Sequence, residues 1–184
     1  YGVSDAEREA IGRLTYDIGV AMHMAYSAAG SGTPLEPAHL QLRDVFGYRS
    51  AYTLAPIDPY ACGESLDDGE IRMAVLANLD AKCPVLLGIF NYDALNEAYR
   101  NGHCIVADGY GFVDEDVFVH LNMGWGGNDD AWYKLPDIGT FYGFNLVDSV
   151  AYNIFPNASG AIVSGHVTCD HTNLVGWTVS AYQN

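Results

Sequence analysis

At 184 residues the chain has room for one domain with a sizeable core, and its 49% hydrophobic, 12% aromatic composition excludes disorder. A net charge of −15, with Lys82 and Lys134 the only lysines, leaves no basic patch to neutralise phosphates, so a nucleic-acid partner is not expected. No apolar run nears the ~20 residues that cross a bilayer, so membrane insertion is not expected. No basic-then-apolar leader opens the chain.

Ser4 precedes Asp5 and Glu7 and is predicted to cap a helix. Its apolar residues Ile11, Leu14, Ile18, Ala21 and Ala25 recur at helical spacing, which predicts one buried stripe ending near Ser27. Pro37 to Phe46 reads as a second helix closed by Gly47, and Tyr48 to Leu54 alternates as a strand. Ser65 is predicted to cap a third helix. Asp67, Asp68 and Glu70 would sit near its positive end, with Ile71, Val75 and Leu79 facing inward. Pro84 to Phe90 is a nearly continuous apolar run and predicts a central strand, and the polar residues Asn91 to Asn101 lead from it to Gly102. That polar stretch either overhangs a cleft or forms a long hairpin loop. Strands are then expected over His103–Ala107, Val117–Asn122, Trp132–Leu135 and Val150–Phe155, with Asp108-Gly109 as a turn. Helices first and antiparallel strands later indicate an α+β architecture.

The segment from His103 to Trp132 carries the chemistry. His103 opens the strand Cys104-Ile105-Val106-Ala107, and the next strand runs Val119-His120-Leu121-Asn122 into Met123-Gly124-Trp125-Gly126-Gly127. A papain-type thiol enzyme needs an imidazole facing its nucleophile, an amide to hold that ring, and an indole to shield the hydrogen bond from water. The block resembles the streptopain family of bacterial secreted cysteine peptidases, whose pattern reads Gly-His-(apolar)-Asp-Gly…His-x-Asn-Trp-Gly-Trp-Gly-Gly. The resemblance implies a papain-like fold, with a helical part and an antiparallel barrel-like sheet. It also implies His103 as the base and acid, Asn122 as the ring-orienting amide and Trp125 as the shield. Gly102, Met123 and Gly124 would border the substrate, a peptide or protein. Met123 stands where the family has its first tryptophan, so a soft thioether is expected as the cover, and Met123→Trp is expected to be tolerated. Met24, Tyr26 and the small-residue loop Gly30 to Gly32 would lie by the cleft; from composition alone they are equally a connector.

The family's nucleophilic cysteine lies upstream, at a helix start after a glycine, and no cysteine here has that setting. This chain is therefore expected to lack the cysteine helix and to receive it from a second chain or an absent upstream segment. Taken alone it would be inactive. Cys62 and Cys83 flank a predicted helix that would hold them roughly 20 Å apart, and Cys104 points to the strand face opposite His103. All four cysteines read as buried structural thiols, and their spacing favours no pairing. Alternation puts Phe118, His120 and Asn122 on one face, so His120 is expected near the site in a structural role. No cofactor or metal is expected. The glycines lack the Gly-Lys-Ser/Thr of a phosphate cradle, the acidic cluster Asp67-Asp68-Gly69-Glu70 lacks calcium-loop spacing, and His39, His166 and His171 lack metal-ligand spacing.

The resemblance spans residues 1–156, and residues 157–184 differ in character. Ala161–Thr168 and Gly176–Ala181 alternate around a polar turn, similar to the opening hairpin of immunoglobulin-like modules. That hairpin either packs on the first domain or begins a further module. The expected activity of the complete protein is cysteine endopeptidase, secreted or at a bacterial cell surface, with zymogen processing implied by the family. The alternative is an inactive peptidase-like binding or adhesion module.

Overall fold

A computed structural model describes residues 2–56, 66–93, 95, 98–156, 162, 168–169 and 172–173. Three helices precede most of the strands. Helix α1 (Asp5–Ala21) begins with a reciprocal cap, in which Ser4 Oγ accepts from Glu7 N while the Glu7 carboxylate accepts from Ser4 N at 2.8 Å. It stops well before Ser27. His23 takes a left-handed φ of +53°, His23 N donates to Val20 O, and Met24 N donates to Gly19 O. This six-to-one, five-to-two pairing closes the helix, and the chain then turns back through the Ala25–Gly32 bridge. A Cβ at Gly19 would overlap the Tyr26 hydroxyl, so a side chain there would displace the end of the Tyr26 ring.

The expected buried stripe on α1 is not buried. Ile11 is 60% exposed, and Leu14, Ile18 and Val20 are also exposed. Periodicity marks the face that wants cover without saying what covers it, and no described residue does so.

Helix α2 (Ala38–Asp44) and strand β1 (Ser50–Leu54) fall inside their predicted spans. Helix α3 (Asp68–Asp80) is capped by Asp67, whose carboxylate accepts from Gly69 N and Glu70 N. The expected cap, Ser65, lies outside the described residues, as does Cys62. Ile71 and Val75 of α3 are buried in the core and Leu79 packs half-buried against it, as the spacing predicts, and Ala74 joins them.

The sheet is antiparallel and six-stranded. Its order is β1–β6–β2–β3–β4–β5, with β2 (Val85–Asp93), β3 (Ala98–Val113), β4 (Asp116–Asn122), β5 (Ala131–Lys134) and β6 (Leu146–Phe155). Strands β2 to β5 form a meander, and β6 returns to lie between β1 and β2. Two expectations fail here for one reason. The polar stretch 91–101 is not a long loop, since Tyr92↔Tyr99 and Asp93↔Ala98 continue the β2–β3 ladder. Asp108-Gly109 is likewise no turn; β3 passes through it with a register shift between Ala107 and Gly109 and reverses only beyond Val113, where Asp114 takes φ +54°. Backbone pairing with a neighbouring strand outweighs the low strand propensity of these residues.

The core is built from one face of this sheet under α3. Val85, Leu87 and Ile89 of β2, Ile105 and Ala107 of β3, Val117, Val119 and Leu121 of β4, and Val147 and Val150 of β6 are all buried in one cluster. Each Val, Leu or Ile among them contributes about 1.5–3 kcal/mol on leaving water. One polar bridge crosses from α3 to β6. Buried Asn78 donates to Asn153 Oδ1 at 3.0 Å and accepts from Asn153 N at 2.8 Å, holding Asn153 at φ +53°. Asn78→Ala should therefore cost about 1–3 kcal/mol, since it strands a backbone N–H beside the core. The measurement is the urea unfolding midpoint, and a change under about 0.5 kcal/mol would show the bridge to be dispensable.

Of the expected C-terminal hairpin, most residues lie outside those described. A short antiparallel pair, β7 (Thr168–Cys169) with β8 (Thr172–Asn173), is present. Among the described residues no helix is long and apolar enough to cross a membrane.

Candidate active site

His103 sits within β3, not at a strand start, because the ladder with β2 already pairs Gly102 with Phe90 and His103 with Ile89. Alternation places it with Ile105 and Ala107 on the core-facing side, so the ring lies at the margin of the cluster, half-buried. Gly102 has a packing reason of its own: a Cβ would meet the Phe90 ring at 2.7 Å.

The ring is held by a main-chain group. His103 Nε2 lies 2.8 Å from Met123 O. A carbonyl can only accept, so Nε2 carries the hydrogen, and in the neutral ring the lone pair stands on Nδ1. Nδ1 has no hydrogen-bond partner among the described residues. The Trp125 indole stacks on the imidazole with centroids 4.7 Å apart and planes 19° apart, and Phe144 stacks at 5.9 Å. These rings pack the imidazole on its face, while the Met123 carbonyl fixes the tautomer.

The expected His103–Asn122 hydrogen bond is not formed. Leu121 faces the core opposite Ala107, so Asn122, one residue on, points to the other side of the sheet from His103. Its amide oxygen instead accepts from Gly124 N at 2.8 Å, closing the turn that follows β4. The same alternation moves His120 away from the site. Its Nδ1 pairs with Asp108 Oδ1 at 2.6 Å on the outer face, and its ring meets Trp132 edge-on. Asp108 therefore serves this pair and caps no turn.

Met123 also departs from expectation. Its side chain is 1% exposed, buried in the core cluster, and cannot form a cover that touches substrate. What reaches the site is its carbonyl. That carbonyl is aimed by the turn 122–130, in which Asp130 Oδ1 accepts from Met123 N at 2.8 Å and Asn128 donates to Trp125 O. Gly124, Gly126 and Gly127 take φ of +75°, +67° and +92°, left-handed values that favour glycine.

Asp130 and Phe144 were not singled out by sequence reasoning. Asp130 follows Met123 by a spacing that matches no motif. Phe144 reaches the ring through a tether on the preceding hairpin: Asn145 donates to Tyr92 O and accepts from Tyr92 N, while Asn145 N donates to Phe90 O. The Gly143-Phe144-Asn145 run was the available signal.

The cysteines within view do not complete the site. Cys104 lies on the face opposite His103 and is exposed, where a buried thiol was expected. Although the residue is exposed, crowding around its sulfur pushes the thiol up to about 11, away from the thiolate a nucleophile requires. Cys83 is half-buried and free. The described residues contain no cluster of three or more histidine, cysteine or acidic side chains able to hold a metal ion.

Comparison with known proteins agrees with this architecture. Streptopain of Streptococcus pyogenes is 26% identical over 161 residues, covering 83% of this chain and 36% of the streptopain chain; the protein from serotype M1 matches to the same extent. The chain thus spans little more than a third of the curated relatives it matches. The solved structure of active wild-type interpain A cysteine protease from Prevotella intermedia matches with a TM-score of 0.64 at 23% identity, covering 83% of this chain and 58% of that one. That likeness is one of fold, and it places the helices and antiparallel sheet within the papain-like α+β architecture. The family model for the Peptidase C10 family matches residues 1–133, a span that takes in the His103 strand and the whole Asn122–Gly127 turn. The chain belongs to the Peptidase C10 family.

Proposed function

We propose that this chain supplies the histidine half of a cysteine endopeptidase site, with the nucleophilic thiol contributed by residues outside this sequence. The observation that carries the reading is the Nε2–Met123 carbonyl hydrogen bond beneath the Trp125 indole, which leaves the Nδ1 lone pair for a thiol. With a cysteine at Nδ1, proton transfer gives a thiolate–imidazolium pair and lowers the thiol well below ~8.5. The thiolate attacks the peptide carbonyl carbon, and as the C–N bond breaks the Nδ1 proton passes to the leaving amine. Nδ1 then takes a proton from water as the hydroxyl oxygen attacks the acyl-thioester. The acid is released, and the proton returns to sulfur. Met123 O keeps the ring in register throughout.

Helix α1 fits the same reading. Its exposed Ile11, Leu14 and Ile18 form an apolar face that a cysteine-bearing segment would cover. Peptides or proteins are the substrates on this reading, with secretion or cell-surface display as the location.

The test uses the longer protein that carries this sequence. An epoxide thiol inhibitor should add once, to a cysteine outside residues 1–184, and should abolish hydrolysis of a fluorogenic peptide. The 184-residue chain alone should neither react at Nδ1 nor cleave. A longer protein that neither adds the inhibitor nor cleaves would favour an inactive binding module. An adduct on Cys62, Cys83, Cys104 or Cys169 would overturn the assignment of an outside nucleophile.

A further inference from the structure

A cavity of about 440 Å³ lies between β1 and β6, at the end of the sheet remote from the histidine. Ile89 pairs with both His103 and Val147, and Phe155, which lines the cavity, stands eight residues beyond Val147 on β6. At ~3.3 Å per residue that is roughly 25 Å from the imidazole, so the cavity is no part of that site. Its shape comes from an irregular ladder. Ser50 pairs with Phe155 and Tyr52 with Tyr152, so β6 carries an extra residue here. Asn153 adopts φ +53° within this bulge, and its side-chain amide donates to Ile162 O at 3.4 Å. Arg49 N donates to Pro156 O at 3.1 Å and clips the exit of β6 to the entry of β1. Tyr52, Tyr152, Phe155 and Ile162 supply apolar surface, with the two tyrosine rings 6.0 Å apart and tilted by 37°. Arg49 is the one charged residue among the described residues that line the cavity, and it forms no ion pair with another described residue. In a chain with 23 acidic and 8 basic residues, a wall that carries a cation and no carboxylate reverses the general surface charge.

We infer that this cavity binds a carboxylate that carries an aromatic or branched apolar group, either the C-terminal residue of a peptide chain or a free acid of the same form. A guanidinium fork matches a carboxylate with two parallel N–H groups, a pairing that a neutral amide cannot equal. The tyrosines and Phe155 take the apolar body at the ring spacings that aromatic pairs prefer. A cationic ligand would find rings to stack on, but Arg49 repels it. A bare inorganic anion would leave the aromatic wall unused. The volume falls toward the lower end of the ~300–1,000 Å³ typical of small-ligand sites, so one or two residues fit and a folded partner does not. The inference stands apart from the peptidase reading, because no atom of the His103 site takes part.

The experiment is calorimetric titration of the longer protein that carries this sequence. N-acetyl-phenylalanine should bind with a Kd of about 1 mM or tighter, and N-acetyl-phenylalaninamide about tenfold more weakly. Arg49→Gln should erase the difference between acid and amide, and Tyr52→Ala should weaken both by about fivefold. Arg43→Gln, at an exposed arginine of α2, should leave both Kd values unchanged. Equal affinity for acid and amide overturns the site, as does a loss in Arg43→Gln equal to that in Arg49→Gln, or the absence of binding by either probe. Acetate that competes at equal concentration would reduce the site to a lone cation and also overturn it. Binding lost in His103→Ala would place the probe in the histidine site and overturn the cavity. If Arg49→Gln does not fold, Tyr52→Ala decides, since its side chain stands half out of the fold: unchanged binding overturns the site, and the fivefold loss supports it. Triglycyl-phenylalanine and 3-phenylpropionate separate the two sources. Tighter binding of the peptide assigns the cavity to chain ends, and the reverse order assigns it to free acids.

Discussion

Replacing His103 with alanine is expected to abolish peptide hydrolysis by the complete protein, a loss of about 10³-fold or more. The fold should survive, because the ring lies at the margin of the core and Trp125 retains its other contacts there. His120→Ala should behave in the opposite way. It removes a half-exposed pair with Asp108 on the outer face, costing roughly 0.2–1 kcal/mol of stability while leaving turnover within a few-fold of wild type. Asn122→Ala should fall between them. The amide does not touch the imidazole, but it closes the turn that aims Met123 O, and a ring displaced by about 1 Å can lose up to roughly 10² in rate. The three variants are compared by kcat/KM and by unfolding midpoint. Full activity in His103→Ala would remove the histidine from the mechanism. A loss in Asn122→Ala as large as that in His103→Ala would mean that the amide acts on the ring directly.

How far this site was legible depends on which atoms do the work. His103 and the Gly124-Trp125-Gly126-Gly127 turn have residue-type signatures, since only histidine titrates near neutrality and only glycine accepts left-handed φ freely. The group that holds the imidazole is a main-chain carbonyl, and every residue has one. A side-chain amide one position earlier therefore drew the assignment. Strand alternation already contained the objection, because Asn122 shares a face with His120 and Phe118 while His103 shares one with Ile105 and Ala107. Deciding whether those faces coincide requires the β3–β4 register, which a bulge at Asp108 shifts by one residue.

The helices show the same division between local and long-range information. The capping box at Ser4 and Glu7 and the inward face of α3 follow from neighbouring residues and were readable as such. The end of α1 depends on His23 adopting a left-handed conformation, stabilised by Thr33 Oγ1 bonding to Met22 O from across the loop. The length of β3 depends on partners on both flanks. Phe144 arrives at His103 only through the Asn145–Tyr92 tether between β2 and the loop before β6. In each case a residue 10 or more positions away decides the outcome.

Met123 is where a motif resemblance and a packed core give opposite expectations, and its substitutions separate them. The side chain is buried among Leu121, Leu135, Ile138 and their neighbours in the central cluster, so Met123→Ala should cost about 2–4 kcal/mol through lost transfer energy and a residual cavity. Met123→Trp, which restores the residue type of the family pattern, should also destabilise. An indole exceeds the thioether's volume by several heavy atoms, and overpacking a closed core costs about 1–3 kcal/mol or more. Met123→Leu nearly conserves volume and should stay within about 1.5 kcal/mol of wild type. Activity should follow stability in the first two variants only in part. Any backbone shift at residue 123 also moves the carbonyl that fixes His103, so turnover of the folded fraction should fall in Met123→Trp while Met123→Leu keeps it. Denaturant unfolding with kinetics on the same samples decides the matter. If Met123→Trp is as stable as wild type and cleaves at least as fast, the position has room for an indole, and the ring covers the site as the family pattern implies.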